Sequence, residues 1–233
     1  MMRVVVLSGA GISAESGIKT FRASDGLWEN YNIEDVATPE AWRKNPELVL
    51  EFYNQRRRQL AGVQPNAGHI ALTKLQEMVE LNVVTQNVDD LHERAGSRHV
   101  LHLHGELTKA RSTGPSEAVS HIAYNDVKLG MTCAEGYQLR PHIVWFGEMV
   151  PALEEAAALV EKADALIIVG TSLNVYPAAG LHQALPAGNP ILLIDPAAAD
   201  LAHNLYHPVT LIAEPASTGL AKACDWIQKF AAE

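Results

Sequence analysis

Seven short apolar runs, each about a strand in length, constrain what this chain can fold into more than any other feature. Val4-Val5-Val6-Leu7, Val83-Val84-Thr85, Val100-Leu101-His102-Leu103, Ile143-Val144-Trp145-Phe146, Ala165–Val169, Ile191–Ile194 and Val209–Ala213 are β-branched and nearly continuous. Continuous rather than alternating hydrophobicity is the pattern of strands covered on both faces, as in a parallel sheet. Segments of helical periodicity lie between several of them. Ala67–Leu81 sets Ile70, Leu72, Leu75, Met78 and Val79 largely on one side, Pro151–Ala163 is rich in Ala, Leu and Glu, and Ser217–Phe230 reads as a closing helix. Alternating strands and helices predict an α/β fold, a Rossmann-type doubly wound parallel sheet.

Two stretches break the rhythm. Residues 21–60 form a loop and then helical segments, with Pro39 and Pro46 placed where helices begin. Residues 106–139 are polar and glycine-punctuated without clear periodicity. Together they predict a smaller inserted module at about 23–63 and 106–139, with the Rossmann-type domain at about 1–22, 64–105 and 140–233.

The strand ends carry the chemistry. They lead into Ser8-Gly9-Ala10-Gly11, Gln86-Asn87-Val88-Asp89, His104-Gly105-Glu106, Gly147-Glu148, Gly170-Thr171-Ser172 and Asp195-Pro196. Ligands of open α/β sheets bind outside the carboxyl ends of the strands, so these polar and glycine residues point to one shared site. Gly9-Ala10-Gly11-Ile12-Ser13-Ala14 has the form of a dinucleotide turn, where glycines let backbone N–H groups approach a pyrophosphate. A tight strand-to-helix turn without a ligand is the ordinary alternative. A dehydrogenase would place an acidic residue at the end of a second strand about 20 positions on. Here a loop containing Phe21 and Arg22 follows instead, which argues against hydride transfer.

Other classes are disfavoured by composition. A net charge of -9 argues against an extended nucleic-acid surface, which needs clustered positive charge. No apolar run is long enough to span a bilayer, and the short N-terminal run Val4–Leu7 lacks a signal-peptide layout; a cytoplasmic, monomeric protein is expected. Cys133 and Cys224 are the only cysteines, too few for a disulfide framework or a four-cysteine zinc site.

The loop Gly9-Ala10-Gly11-Ile12-Ser13 with Ser16-Gly17-Ile18 and Phe21-Arg22 resembles the signature loop of the sirtuins, NAD-consuming lysine deacylases. Gln86-Asn87-Val88-Asp89, Leu103-His104-Gly105, Leu139-Arg140-Pro141 with Val144–Glu148, and Gly170–Leu173 with Val175 and Pro177 are similar to further sirtuin motifs in the same order. The resemblance implies NAD as cofactor and acyl-lysine proteins or peptides as partners, with nicotinamide and O-acyl-ADP-ribose as products. It implies His104 as the catalytic base with Asn87 beside it. Gly9, Ala10, Gly11, Ser13, Phe21, Arg22, Gln86, Asp89, Gly170, Thr171, Ser172 and Asp195 would serve the cofactor. Val144, Phe146, Gly147, Glu148, Asn174 and Val175 would receive the peptide as an added strand. His102, two residues before His104 on the same strand, is expected to be a satisfied core histidine.

Tyr53 and Arg56 stand three apart in a helical stretch and share a face. A hydroxyl and a guanidinium fork suit a carboxylate, and the pair resembles the Tyr-x-x-Arg of class III sirtuins. That implies a preference for succinyl- and malonyl-lysine over acetyl-lysine. The alternative leaves Arg56 on a solvated basic face with Arg57 and Arg58. The sequence departs from the family where a structural zinc is usual. Ser112 and Pro115 stand about where the first cysteine pair would fall, and only Cys133 is left of the second. Neither His121 nor His142 has ligand spacing, so zinc is expected to be absent. Mono-ADP-ribosyl transfer and a catalytically silent NAD or ADP-ribose sensor are the competing functions.

Overall fold

The computed structural model describes residues 1–19, 27–28 and 31–231. The strands are β1 (Arg3–Ser8), β2 (Leu27–Trp28), β3 (Tyr31–Asn32), β4 (Glu80–Thr85), β5 (Val100–His102), β6 (Gly105–Ser112), β7 (Val119–His121), β8 (Leu139–Ile143), β9 (Ala165–Val169), β10 (Ile191–Ile194) and β11 (Val209–Ile212). Six of them form one sheet in the order β11-β10-β9-β1-β4-β5, and every pairing within it is parallel. The expected doubly wound sheet is therefore present, and the strand order turns outward in both directions from the β1–β9 pair.

Both faces of the sheet are covered. Val4, Val6, Val83, Ile167, Val169, Leu192 and Ile194 pack with Leu72 and Leu75 and with Leu220, Ala223 and Ile227 of the C-terminal segment. Val5, Leu7, Val84, Leu166, Ile168 and Leu193 point the other way, onto Ala156, Val160, Leu181 and Leu185. Successive strand residues face opposite sides, so two cores require the continuous apolar runs seen in the sequence.

One run was misplaced. Ile143–Phe146 adds no strand to the large sheet. Ile143 ends β8, which belongs to a three-stranded antiparallel sheet of order β7-β6-β8. Buried Trp145 lies with Phe52, Tyr53 and Leu60 in a separate cluster of the helical segment, and that contact explains the hydrophobicity. The irregular stretch expected over 106–139 contains β6, whose residues alternate toward burial against helix Pro46–Gly62. The helix expected over 67–81 ends at Leu75, and β4 begins at Glu80.

Pro39 and Pro46 do begin helices, Pro39–Lys44 and Pro46–Gly62. Thr38 and Asn45 cap them by accepting from Ala41 N–H at 3.0 Å and Leu48 N–H at 3.1 Å. No helix among the described residues is long and apolar enough to cross a membrane.

Candidate active site

The crevice at the carboxyl ends of β1, β4 and β9 opens into a cleft of about 390 Å³. The glycine loop after β1 and the loop after β9 interlock beneath it. Gly11 N–H donates to the Gly170 carbonyl at 2.8 Å. A Cβ on Gly11 would lie 2.6 Å from Gly170 Cα, and one on Gly170 would lie 2.4 Å from the Ile12 nitrogen. The glycines thus answer first to the close approach of two loops separated by most of the chain. Close approach to a pyrophosphate was the expected reason, yet the Gly11 N–H is already engaged.

Most of the residues assigned from sequence line this one cleft. They are Gly9, Ala10, Gly11, Tyr53, Arg56, Gln86, Asn87, Asp89, His104, Val144, Phe146, Gly147, Glu148, Gly170, Thr171, Ser172 and Val175. Ser13 is buried behind the wall. Asn174 is exposed outside the lining. Asp195 also lies outside it, where its carboxylate accepts from Ala197 N–H at 2.9 Å. Phe21 and Arg22 fall outside the described residues.

His104 lies in the bend between β5 and β6, directly before Gly105. Gly105 has φ +82° and passes so close to β8 that a Cβ would meet the His142 carbonyl at 2.1 Å, which accounts for glycine after this histidine. His104 Nδ1 lies 3.1 Å from the Gln86 carbonyl. Since that oxygen only accepts, Nδ1 carries the proton and Nε2 is left as the basic nitrogen. Burial holds the imidazole below the ordinary histidine range, with the Gln86 contact opposing. Gln86 is itself fixed by donating to Thr171 Oγ1 at 3.0 Å, which ties the loop after β4 to the loop after β9.

Deeper in, Ser13 Oγ donates to Asp89 at 2.9 Å and accepts from the Asn87 amide at 3.2 Å. Burial raises the Asp89 carboxyl to about 6, against the Leu91 N–H and Ser13 hydrogen bonds. Beneath this group lie two buried histidines, His69, which the sequence places at a helix start, and His92, which it leaves without a role. His69 Nε2 is 3.5 Å from Ser13 Oγ, His92 Nε2 is 2.9 Å from Ser8 Oγ, and their rings meet edge to face at 5.0 Å. Burial lowers His69 to about 4 and holds His92 well below its ordinary value. His69 also completes the capping box at Asn66, the one trace of it legible in the sequence.

On the opposite wall, helix Pro46–Gly62 sends three consecutive arginines three ways. Arg56 lines the cleft, its guanidinium 4.9 Å from the Phe52 ring centre. Arg57 is buried and donates to the Leu107 carbonyl at 2.7 Å and to Asn54 at 2.6 Å. Arg58 pairs with Glu51 and Asp126 at the surface. A common solvated basic face is therefore excluded. Tyr53 is fully buried beside Arg56, and its hydroxyl accepts from Trp145 Nε1 at 3.1 Å. Burial pushes its phenol well above the usual range, so it is a neutral hydroxyl.

Glu148 is built into the wall. Its carboxylate takes Arg140 Nη1 at 2.9 Å, Arg111 Nη2 at 3.1 Å and Trp145 N–H at 2.8 Å, and Arg140 stacks 3.4 Å from the Trp145 ring centre. Burial alone would raise the Glu148 carboxyl, but Arg140 and the Trp145 N–H override it and hold it below its usual range. Glu148 shapes the segment Val144–Gly147. Val144 N–H and Phe146 N–H in that segment donate to the His104 and Ala37 carbonyls. Trp145 and Arg140 had been read only as parts of a motif.

Among the described residues, no three His, Cys, Asp or Glu side chains come together in a way that could hold a metal. Ser112 Oγ and Cys133 Sγ are 3.3 Å apart, so a position read in place of the first cysteine pair meets the cysteine left of the second. One thiol and one hydroxyl do not make a closed tetrahedral site. Thr113 N–H donates to Gln138 O between the two segments, and local turn bonds run from Cys133 N–H to Tyr137 O and from Gly114 N–H to Ser112 Oγ.

This fold and cleft define a doubly wound α/β protein with a polar, part-buried site at its switch point. Residues 9–177 match the Sir2 family. An NAD-dependent protein deacylase of Bacteroides thetaiotaomicron is 54% identical over 205 residues, covering 86% of this chain and 88% of that protein. A solved Sir2 homologue–NAD complex superposes with TM-score 0.85 at 39% identity, over 98% of this chain and 90% of the other. A Sir2–p53 peptide–NAD⁺ structure superposes with TM-score 0.77 at 28% identity, over 97% and 94% of the two chains. The chain belongs to the Sir2 family.

Proposed function

We propose that this protein is an NAD-dependent protein lysine deacylase that favours acidic acyl groups, with His104 as the base. The observation that carries the reading is His104 itself. It is a neutral imidazole whose Nδ1–H is committed to the Gln86 carbonyl, in a cleft with Asn87 and Asp89 on the same lining. The cleft suits NAD in its donor set. Glycine loops at a strand switch point form one end, and a buried amide, carboxyl and hydroxyl gather toward the other. NAD would supply an activated ribose carbon whose leaving group is nicotinamide, with O-acyl-ADP-ribose as a product.

The chain's own part is positional. Asn87 and Asp89, held by Ser13 behind them, present the polar contacts of the nicotinamide end, and His104 Nε2 accepts a proton from a ribose hydroxyl. The Val144–Gly147 segment and Val175 flank the entry for an extended acyl-lysine peptide, whose backbone hydrogen bonds hold it in line and help exclude water. Asn174 and Asp195 are proposed contacts at the peptide entry and the adenosine end, and Phe21 and Arg22 at the loop over the cofactor. Acidic acyl preference is supported by a cation and a neutral hydroxyl, Arg56 and Tyr53, side by side on the cleft wall.

Acyl-peptide-dependent nicotinamide release tests the whole reading. His104→Ala is expected to lower kcat by about 10²–10⁴-fold for succinyl- and acetyl-peptides alike. Arg56→Met is expected to lower the succinyl-to-acetyl ratio of kcat/KM by about tenfold or more. An unchanged ratio sinks the acyl assignment. Nicotinamide release that needs no acyl peptide would favour ADP-ribosyl transfer, and its absence under all conditions would favour a silent sensor.

A further inference from the structure

His102 and His104 lie two residues apart and grip consecutive carbonyls of one loop. His104 Nδ1 faces Gln86 O, and His102 Nδ1 faces Asn87 O at 2.9 Å. The difference is at the other nitrogen. His102 Nε2 lies 2.7 Å from a carboxylate oxygen of Glu93, on the helix Leu91–Ala95. A backbone carbonyl and a carboxylate are both acceptors only, so both ring nitrogens must donate, and a neutral imidazole has a single N–H. We infer that His102 works as an imidazolium, a positioning residue that is braced by Glu93 and holds the Asn87 carbonyl. It thereby aims the Asn87 and Asp89 side chains into the cleft. The statement about charge rests on geometry alone; its consequence for the cofactor rests on the function proposed above.

The surroundings agree. Burial alone would depress this histidine, but Glu93 outweighs it and the net displacement is upward. Glu106 on β6, itself paired with Lys109, and Asp89 on the loop after β4 add negative potential, and the buried His92 ring, held far below its ordinary value, brings no competing charge. The brace is therefore complete below the ordinary histidine range and is lost as pH rises through the elevated value. Loss of that proton leaves His102 one N–H for two acceptors, so either the Glu93 brace or the contact with the Asn87 carbonyl is given up.

Histidine ¹⁵N spectra of the full chain, with His102→Gln to assign the signal, test the charge directly. His102 is expected to show two protonated nitrogens at about pH 7.5 while His104 shows one. A neutral His102 at that pH overturns the inference without any variant having to fold. NAD affinity measured by calorimetry between pH 6 and 9 tests the consequence. Glu93→Gln is expected to move the alkaline decline in affinity downward by about one pH unit or more. It should also raise KM for NAD several-fold at pH 8 with kcat at saturation little changed. A Glu93→Gln profile that superimposes on the wild type overturns the positioning role. Failure of the wild type to bind NAD at any pH would instead remove the proposed function and leave the spectroscopic result standing.

Discussion

The six-stranded and three-stranded sheets of this molecule are held in place by different means. The six-stranded sheet buries apolar residues on both faces, and the polar residues that line the cleft follow the carboxyl ends of its strands. The three-stranded sheet sits against helix Pro46–Gly62 through a small apolar cluster of Leu50, Ala110 and Leu139 and through buried polar side chains. Arg57 reaches Leu107 O, and Asn54 exchanges two hydrogen bonds of 2.9 Å with the backbone of Val127. In the large sheet the apolar core lies along the strands and the chemistry at their carboxyl ends, where the contact of Gly11 with Gly170 couples the two. In the small one the same polar contacts give cohesion and fix the wall that carries Tyr53 and Arg56.

The largest effect is expected where the large sheet's two halves meet. Gly170→Ala forces a Cβ to within 2.4 Å of the Ile12 nitrogen at φ +61°. It should cost about 4 kcal/mol in urea unfolding and abolish measurable NAD binding. A mild effect would show that the loops give way and that the interlock is not structural. Arg57→Met leaves the Leu107 carbonyl and Asn54 short of a partner beside the three-stranded sheet and should cost about 2–3 kcal/mol. If it cost nothing, the polar account of that sheet's seat would fail.

The Asp89 carboxyl supplies a test by pH. Its folded value of about 6 lies above the ordinary 3.8, so the folded state holds this proton more tightly. Stability should therefore fall as pH rises from about 4 to 6, relative to Asp89→Asn, which lacks the titration. Parallel curves for the two proteins would contradict it. The smallest effect belongs to Ser112→Ala, about 1 kcal/mol, with no shift in melting temperature on adding a strong chelator to either form. A chelator-sensitive melt would mean that a metal, rather than hydrogen bonds, joins these strands.

What the sequence made legible follows the same division. The large sheet could be read because burial on two faces writes continuous apolar runs, and its site because the motif residues sit at strand ends. Ile143–Phe146 misled because Trp145 is buried against Tyr53 and Arg140, a contact between segments far apart in the chain. β6 was missed because its buried residues include Thr108, Ala110 and Ser112, which carry little hydrophobic signal. The His69–His92 pair was invisible for a related reason. Each histidine stands in its own helix, and only the fold brings the rings together under Ser13 and Asp89.

The meeting of Gly11 with Gly170 has a consequence for how the working protein comes into being. The two loops are supplied by opposite ends of the chain, and each lacks the side chains that would let it hold its shape alone. During synthesis the first motif must remain without its support until β9 and the turn after it have left the ribosome. A fragment ending before residue 165 would carry Asn87, Asp89 and His104 yet assemble no cleft, and adding back the missing C-terminal piece should restore one.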